Sequence, residues 1–112
     1  MRVENITAEL DFIDGSGSDS ERKALERLKK KYGEDLVPLF FSRYKLTKKW
    51  NTRAAYLYYS TPYSKYNGHA VMLGEEALKD NSKIVRYRAC KSLAWSLSKK
   101  SLRKLEEALD NE

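Results

Sequence analysis

The feature that most limits how this chain can fold is an echo near its C-terminal end. The segment GEEALKDN at 74–81 returns as LEEALDNE at 105–112, 31 residues later, and Ala55 and Tyr59 match Ala89 and Leu93 at an offset of 34. A period of that size corresponds to one helical hairpin. A hairpin cannot bury its apolar face alone, so such units stack on their neighbours. The remaining segments carry the same rhythm of apolar helix faces separated by short turns.

Ser18 followed by Glu21 is a capping-box pattern, in which the serine takes an orphan N–H and the glutamate reaches back. The helix it opens runs to about Tyr32, with Leu25, Leu28 and Tyr32 on one face and Gly33 as its stop. Lys29, Lys30 and Lys31 complement the dipole of its last turn. Asp35 is placed to cap a second helix, with Pro38 in the first turn, where a missing N–H costs little, and Leu36, Leu39, Phe40 and Tyr44 inward. A third helix starts near Asn51 or Thr52, carries Ala55, Tyr56 and Tyr59, and ends or kinks near Ser60 because of Pro62. Asn67-Gly68 marks a turn, and a fourth helix covers about 69–79 with Ala70, Leu73, Ala77 and Leu78 inward. Ser82 can cap a fifth helix over about 83–97, whose seam is Val85, Ala89 and Leu93, with Cys90, Ala94 and Leu97 beside it. After Ser98, Leu102, Leu105 and Leu109 repeat at helical spacing. The expectation is an all-α fold: a short right-handed α-solenoid of about three antiparallel helical hairpins. Residues 1–17 form an N-terminal arm or short helix plus a Gly/Ser linker, and 18–112 form a single helical-repeat domain. In the arm, Ile6, Leu10 and Ile13 fit a helix face, whereas Leu10 and Phe12 alternate as in a strand.

Residues 80–97, DNSKIVRYRACKSLAWSL, are similar to a HEAT repeat. They follow that family's polar turn and then its Val-Arg-x-x-Ala-x-x-x-Leu helix, here Val85, Arg86, Ala89 and Leu93. The segment WNTRAAYLYYS at 50–60 resembles it more loosely, with Tyr59 in the leucine position. The resemblance implies a non-catalytic module that binds another protein, as small bacterial immunity or adaptor proteins of this type do. A minority of such proteins bind nucleic acid through a basic concave surface.

Charge and aromatics concentrate in 36–74. That stretch holds Arg43, Lys45, Lys48, Lys49, Arg53 and Lys65 without a single acid, which equals the net charge of +6 of the whole chain. It also holds nine of the thirteen aromatics. Basic side chains interleaved with Tyr and Trp suggest a contact surface, since Arg, Tyr and Trp dominate binding hot spots. Arg43, Tyr44, Lys48, Lys49, Trp50, Arg53, Tyr58 and Tyr63 are the candidates there, although rings such as Phe40 and Phe41 read as helix-packing core. On the fifth helix Arg88, Lys91 and Trp95 fall at i, i+3 and i+7. Either they form an exposed cation–π patch, or Trp95 packs between repeats under the stems of Arg88 and Lys91.

The residues for catalysis are sparse. His69 is the single histidine, Cys90 the single cysteine and 21 residues from it, which is no metal-ligand spacing. Glu75–Glu76 and Glu106–Glu107 are sequence neighbours on helices and so do not face each other as an acid–base pair. No phosphate loop or nucleophile motif is present. The expectation is no enzyme and no cofactor or metal. It is instead a protein-binding module for a partner with an acidic face, with nucleic-acid binding by the same surface as the alternative. One cysteine, no apolar run of membrane length and no signal-peptide core lead us to expect a cytoplasmic setting without membrane or small-molecule partners.

Overall fold

The computed structural model describes residues 3–65 and 67–96, together with positions 103, 106 and 107, and side chains from residue 6 onward. These residues form helices and short connections, with no strand among them: α1 (Val3–Leu10), α2 (Asp19–Tyr32), α3 (Leu36–Leu46), α4 (Trp50–Ser60), α5 (Gly68–Ala77) and α6 (Lys83–Ser96). No helix among the described residues is long and apolar enough to cross a membrane. The helix expected after Ser98 lies largely outside the described residues; Arg103, Glu106 and Glu107 within it are helical and exposed.

Local signals set most of these boundaries. Ser18 Oγ accepts from Glu21 N at 3.1 Å, and the Gly33 N–H closes α2 on Lys29 O. Asn67 caps α5 by accepting from the amides of His69 and Ala70 at 3.0 and 3.3 Å, which starts that helix at Gly68. Pro62 stops α4 as expected, because a proline amide has no hydrogen to donate. The chain leaves α4 through a 3-10 turn at Thr61–Tyr63 instead of kinking. Two expectations are corrected. Asp35 makes no side-chain cap, because a 3-10 turn at Gly33–Asp35 runs straight into α3. Only half of the capping box forms, because the Glu21 carboxylate is drawn elsewhere.

That carboxylate is an organising contact. Glu21 is 1% exposed, accepts from the amides of Asp14 and Gly15, and takes the Tyr59 hydroxyl at 2.7 Å. Three segments (the α1–α2 loop, α2 and α4) thus meet on one buried carboxyl group whose oxygens are held by hydrogen bonds. Gly15 fits there because its φ is +81° and because a Cβ would overlap the backbone carbonyl of Asn51. Thr52 Oγ1 adds a bond to Asp14 O at 2.7 Å. The arm is therefore a helix, α1, whose end is stitched to the start of α4, with Leu10 and Ile13 buried.

α3 packs on α4 and on α5, and α6 packs on both α4 and α5. Phe40 and Tyr56 stack at 5.3 Å between α3 and α4. Val85, Ala89 and Leu93 are fully buried, as the seam requires. Gly74 makes the α5–α6 contact close, since a Cβ there would stand 3.0 Å from Leu93 Cδ2. Cys90, expected in the core, is only partly buried, and Ala94 is exposed.

Candidate binding groove on α4 and α6

The structure divides the expected binding residues into two groups. Three of them form internal joints. Arg43 pairs with Asp11 at 2.8 Å and donates to Thr7 O at 3.3 Å, holding α1 against α3. Tyr44 is 8% exposed, and its hydroxyl donates to Asp80 Oδ2 at 2.7 Å. Arg53 meets the same carboxylate side-on, Nε to Oδ2 at 2.8 Å and Nη2 to Oδ1 at 2.9 Å, with side chains only 12% and 5% exposed. Its remaining donors go to Thr47 O at 3.2 Å, to Lys48 O and to Asn81 Oδ1 at 3.1 Å. The Ser82 amide and the Arg86 guanidinium complete the joint on Asp80, at Oδ1 and at the backbone carbonyl. Charged groups removed from water this far must be fully paired, and these are. Burial alone would raise the Asp80 pKa, but Arg53, Tyr44 and the Ser82 amide together hold it below the usual carboxylate value. The Asp80 hydrogen bonds in turn raise Arg53, and burial followed by Asp80 pushes Tyr44 upward. Tyr44 and Arg53 therefore connect the α3–α4 hairpin to the α5–α6 turn, with their polar groups committed to Asp80 and little surface left exposed. The acid that claims them is 27 residues from Arg53, which is why the charge of the central stretch overstated its availability.

The second group lies on one face. Trp50, Tyr58, Ile84, Tyr87 and Trp95 are all between 46% and 61% exposed, although each is large and apolar. They line two adjoining depressions that share Tyr58, Ile84 and Arg88. One, of about 650 Å³, also takes in Pro62, Tyr87, Lys91 and Trp95; the other, of about 490 Å³, reaches Trp50 at the start of α4. Arg88 stacks 4.7 Å from the Tyr58 ring, Lys91 lies 5.4 Å from Tyr87, and Lys65 lies 5.1 Å from Trp95. None of the described residues lining the larger depression is acidic. Glu21 lines the smaller one, but its carboxylate is consumed by Tyr59 and the loop amides.

Of the two arrangements open for the fifth helix, the exposed patch is the one found: Trp95 is 52% exposed and is covered by Lys65 from the α4–α5 connection, not by Arg88. Lys48 and Lys49 are exposed just before Trp50, and Tyr63 is partly buried outside the groove. Sequence reasoning missed Ile84 and Tyr87. The signal was present, since 84, 87, 88, 91 and 95 form a second helical stripe about two-fifths of a turn from the Val85–Ala89–Leu93 seam. Lys65 and Pro62 had no such signal, because only the packing of the 3-10 turn against α6 brings them to the groove.

No family model, curated protein or solved structure matches this chain. The functional reading therefore rests on the groove's own chemistry. Among the described residues no group of three or more His, Cys, Asp or Glu is placed to hold a metal ion. His69 is exposed at the start of α5 and does not line either depression.

Proposed function

We propose that this chain is a non-catalytic protein-binding module of the HEAT-like type, in which stacked helical hairpins present the α4–α6 groove to an acidic partner. The pairwise packing of α3 on α5 and of α4 on α6 supports the stacked-hairpin reading, since equivalent helices of successive hairpins touch. One observation carries the functional reading: the exposed rings of Tyr58, Tyr87 and Trp95 each have a cation over a face, and no acid is among the described residues lining the larger depression. Arg, Tyr and Trp in a concave setting are the usual anchors of a protein interface, and unopposed positive charge both steers and selects an acidic partner.

The same residues favour protein over nucleic acid. Stacking on an unpaired base needs an open ring face. Here Lys65, Arg88 and Lys91 already occupy one face of Trp95, Tyr58 and Tyr87. The test is affinity capture from nuclease-treated source extract with the full chain and with a Lys65→Glu, Arg88→Glu, Lys91→Glu variant. A protein retained in stoichiometric amount by the natural chain and lost from the variant is the expected result. Recovery of nucleic acid alone from untreated extract, washed away by salt, would overturn the reading.

A further inference from the structure

We infer that the groove accepts the partner as an acidic amphipathic helix, rather than as an extended segment or a flat surface; this rests on the protein-binding reading above. Hydrogen bonding limits what the groove can hold. An extended peptide brings one unpaired N–H and one unpaired C=O per residue, and these must be satisfied wherever water is excluded. The larger depression supplies cationic donors from Arg88 and Lys91 but, apart from hydroxyls, no side-chain acceptor, because Asp, Glu, Asn and Gln are all missing from its lining. No strand edge exists among the described residues to pair with one. A helix satisfies its own backbone and needs only an apolar stripe and compatible flanks.

The spacing agrees with that occupant. Ile84, Tyr87, Arg88, Lys91 and Trp95 climb α6 over residues 84–95, about 16 Å at the usual helical rise. That length matches about three turns of a partner helix with apolar side chains at i, i+3, i+4 and i+7. Ile84 and Pro62, with the rings of Tyr58, Tyr87 and Trp95, line the depression and give those side chains apolar surface to meet. Lys65, Arg88 and Lys91 stand where carboxylates on the flanks of the partner helix would meet them. Their present attachment is a ring face, which a carboxylate can share without displacing the cation.

The experiment uses the full-length chain against two displayed libraries of 18-residue peptides. Both fix glutamate on the flanks and randomise four apolar-face positions; the second carries two central prolines that prevent a helix. Binders should emerge from the helical library only. Each should lose about tenfold in affinity when its helix is broken, and at least that for the Arg88→Glu, Lys91→Glu chain. The Lys99→Glu, Lys100→Glu chain should bind within about twofold of the natural one. Labelled-amide shifts should cluster on α4 and α6. Equal recovery from both libraries, or recovery from neither, overturns the helical occupant. It leaves the acidic-protein reading intact if affinity capture still yields a groove-dependent protein. Self-association of the natural chain that the charge variant abolishes would overturn it in favour of a second copy. Tight binding of oligothymidine by the natural chain, with no peptide recovered, would overturn both readings.

Discussion

At the joint between α3, α4 and the α5–α6 turn, a tyrosine and an arginine close on Asp80 and leave water almost entirely. On the α4–α6 face, tyrosines, an arginine and lysines of the same central and C-terminal stretches stay partly exposed and pair with no acid among the described residues. The residue types are nearly identical, and the difference is one carboxylate. Where Asp80 is present, the cation and the phenol are spent on architecture. Where no acid faces them, the cations settle on ring faces, a contact worth only about 0.5–1 kcal/mol at exposed sites. A stronger acid from outside can then recruit them. Basic–aromatic density alone does not distinguish a joint from a docking surface, whereas the presence or absence of a buried counter-charge does.

Removing that counter-charge should therefore produce the largest effect. Asp80→Ala leaves Arg53 and Tyr44 buried without their acceptor and should cost about 3–5 kcal/mol in urea denaturation. A neutral result would show that the joint is not a load on stability. The same group sets a pH dependence. Its folded-state pKa lies below the unfolded value of about 3.9, so its contribution is present above that pH and fades as pH falls through the folded value. Acid unfolding of the natural chain should thus steepen below about pH 4, and Asp80→Asn should lose that component.

Much of the fold was legible because it depends on local pattern. The seam Val85–Ala89–Leu93, the stop at Gly33 and the end of α4 before Pro62 all follow from spacing and backbone chemistry within a few residues. The site was half legible. Arg88, Lys91 and Trp95 announce themselves on one helix, whereas the fates of Arg53, Tyr44 and Arg43 were decided by Asp80 and Asp11, 27 to 36 residues away. The Glu21 carboxylate was misassigned for the same reason, because its donors come from a loop and from Tyr59.

Next in size is the other buried junction. Gly15→Ala forces a side chain onto the Asn51 carbonyl at a positive φ and should destabilise by roughly 2 kcal/mol or more, read as a lower urea midpoint. Unchanged stability would mean that the loop is not held against α4. Ala89→Leu overpacks the α5–α6 seam and should cost about 1–3 kcal/mol in the same measurement. Should it prove neutral, the packing register of α6 against α5 is wrong.

The smallest stability effects belong to the groove, which is what makes the comparison informative. Arg88→Ala and Trp95→Ala should each shift unfolding by no more than about 1 kcal/mol, because both residues are partly exposed. Their effect should appear instead in the capture and peptide-binding measurements. A large loss of stability from either would move the groove into the same category as the Asp80 joint.

The Glu21 contact has a consequence for how the molecule opens. The amides of Asp14 and Gly15 sit in a connecting loop and would ordinarily exchange with solvent at the rate of a fraying segment. Both donate to a buried carboxylate on α2 that also holds Tyr59 of α4, and Thr52 of α4 ties the same loop at Asp14 O, so releasing either proton means lifting the loop off the junction of these two helices. Their exchange should therefore track the opening of the helical body, so that two loop protons report on the cooperativity of the fold.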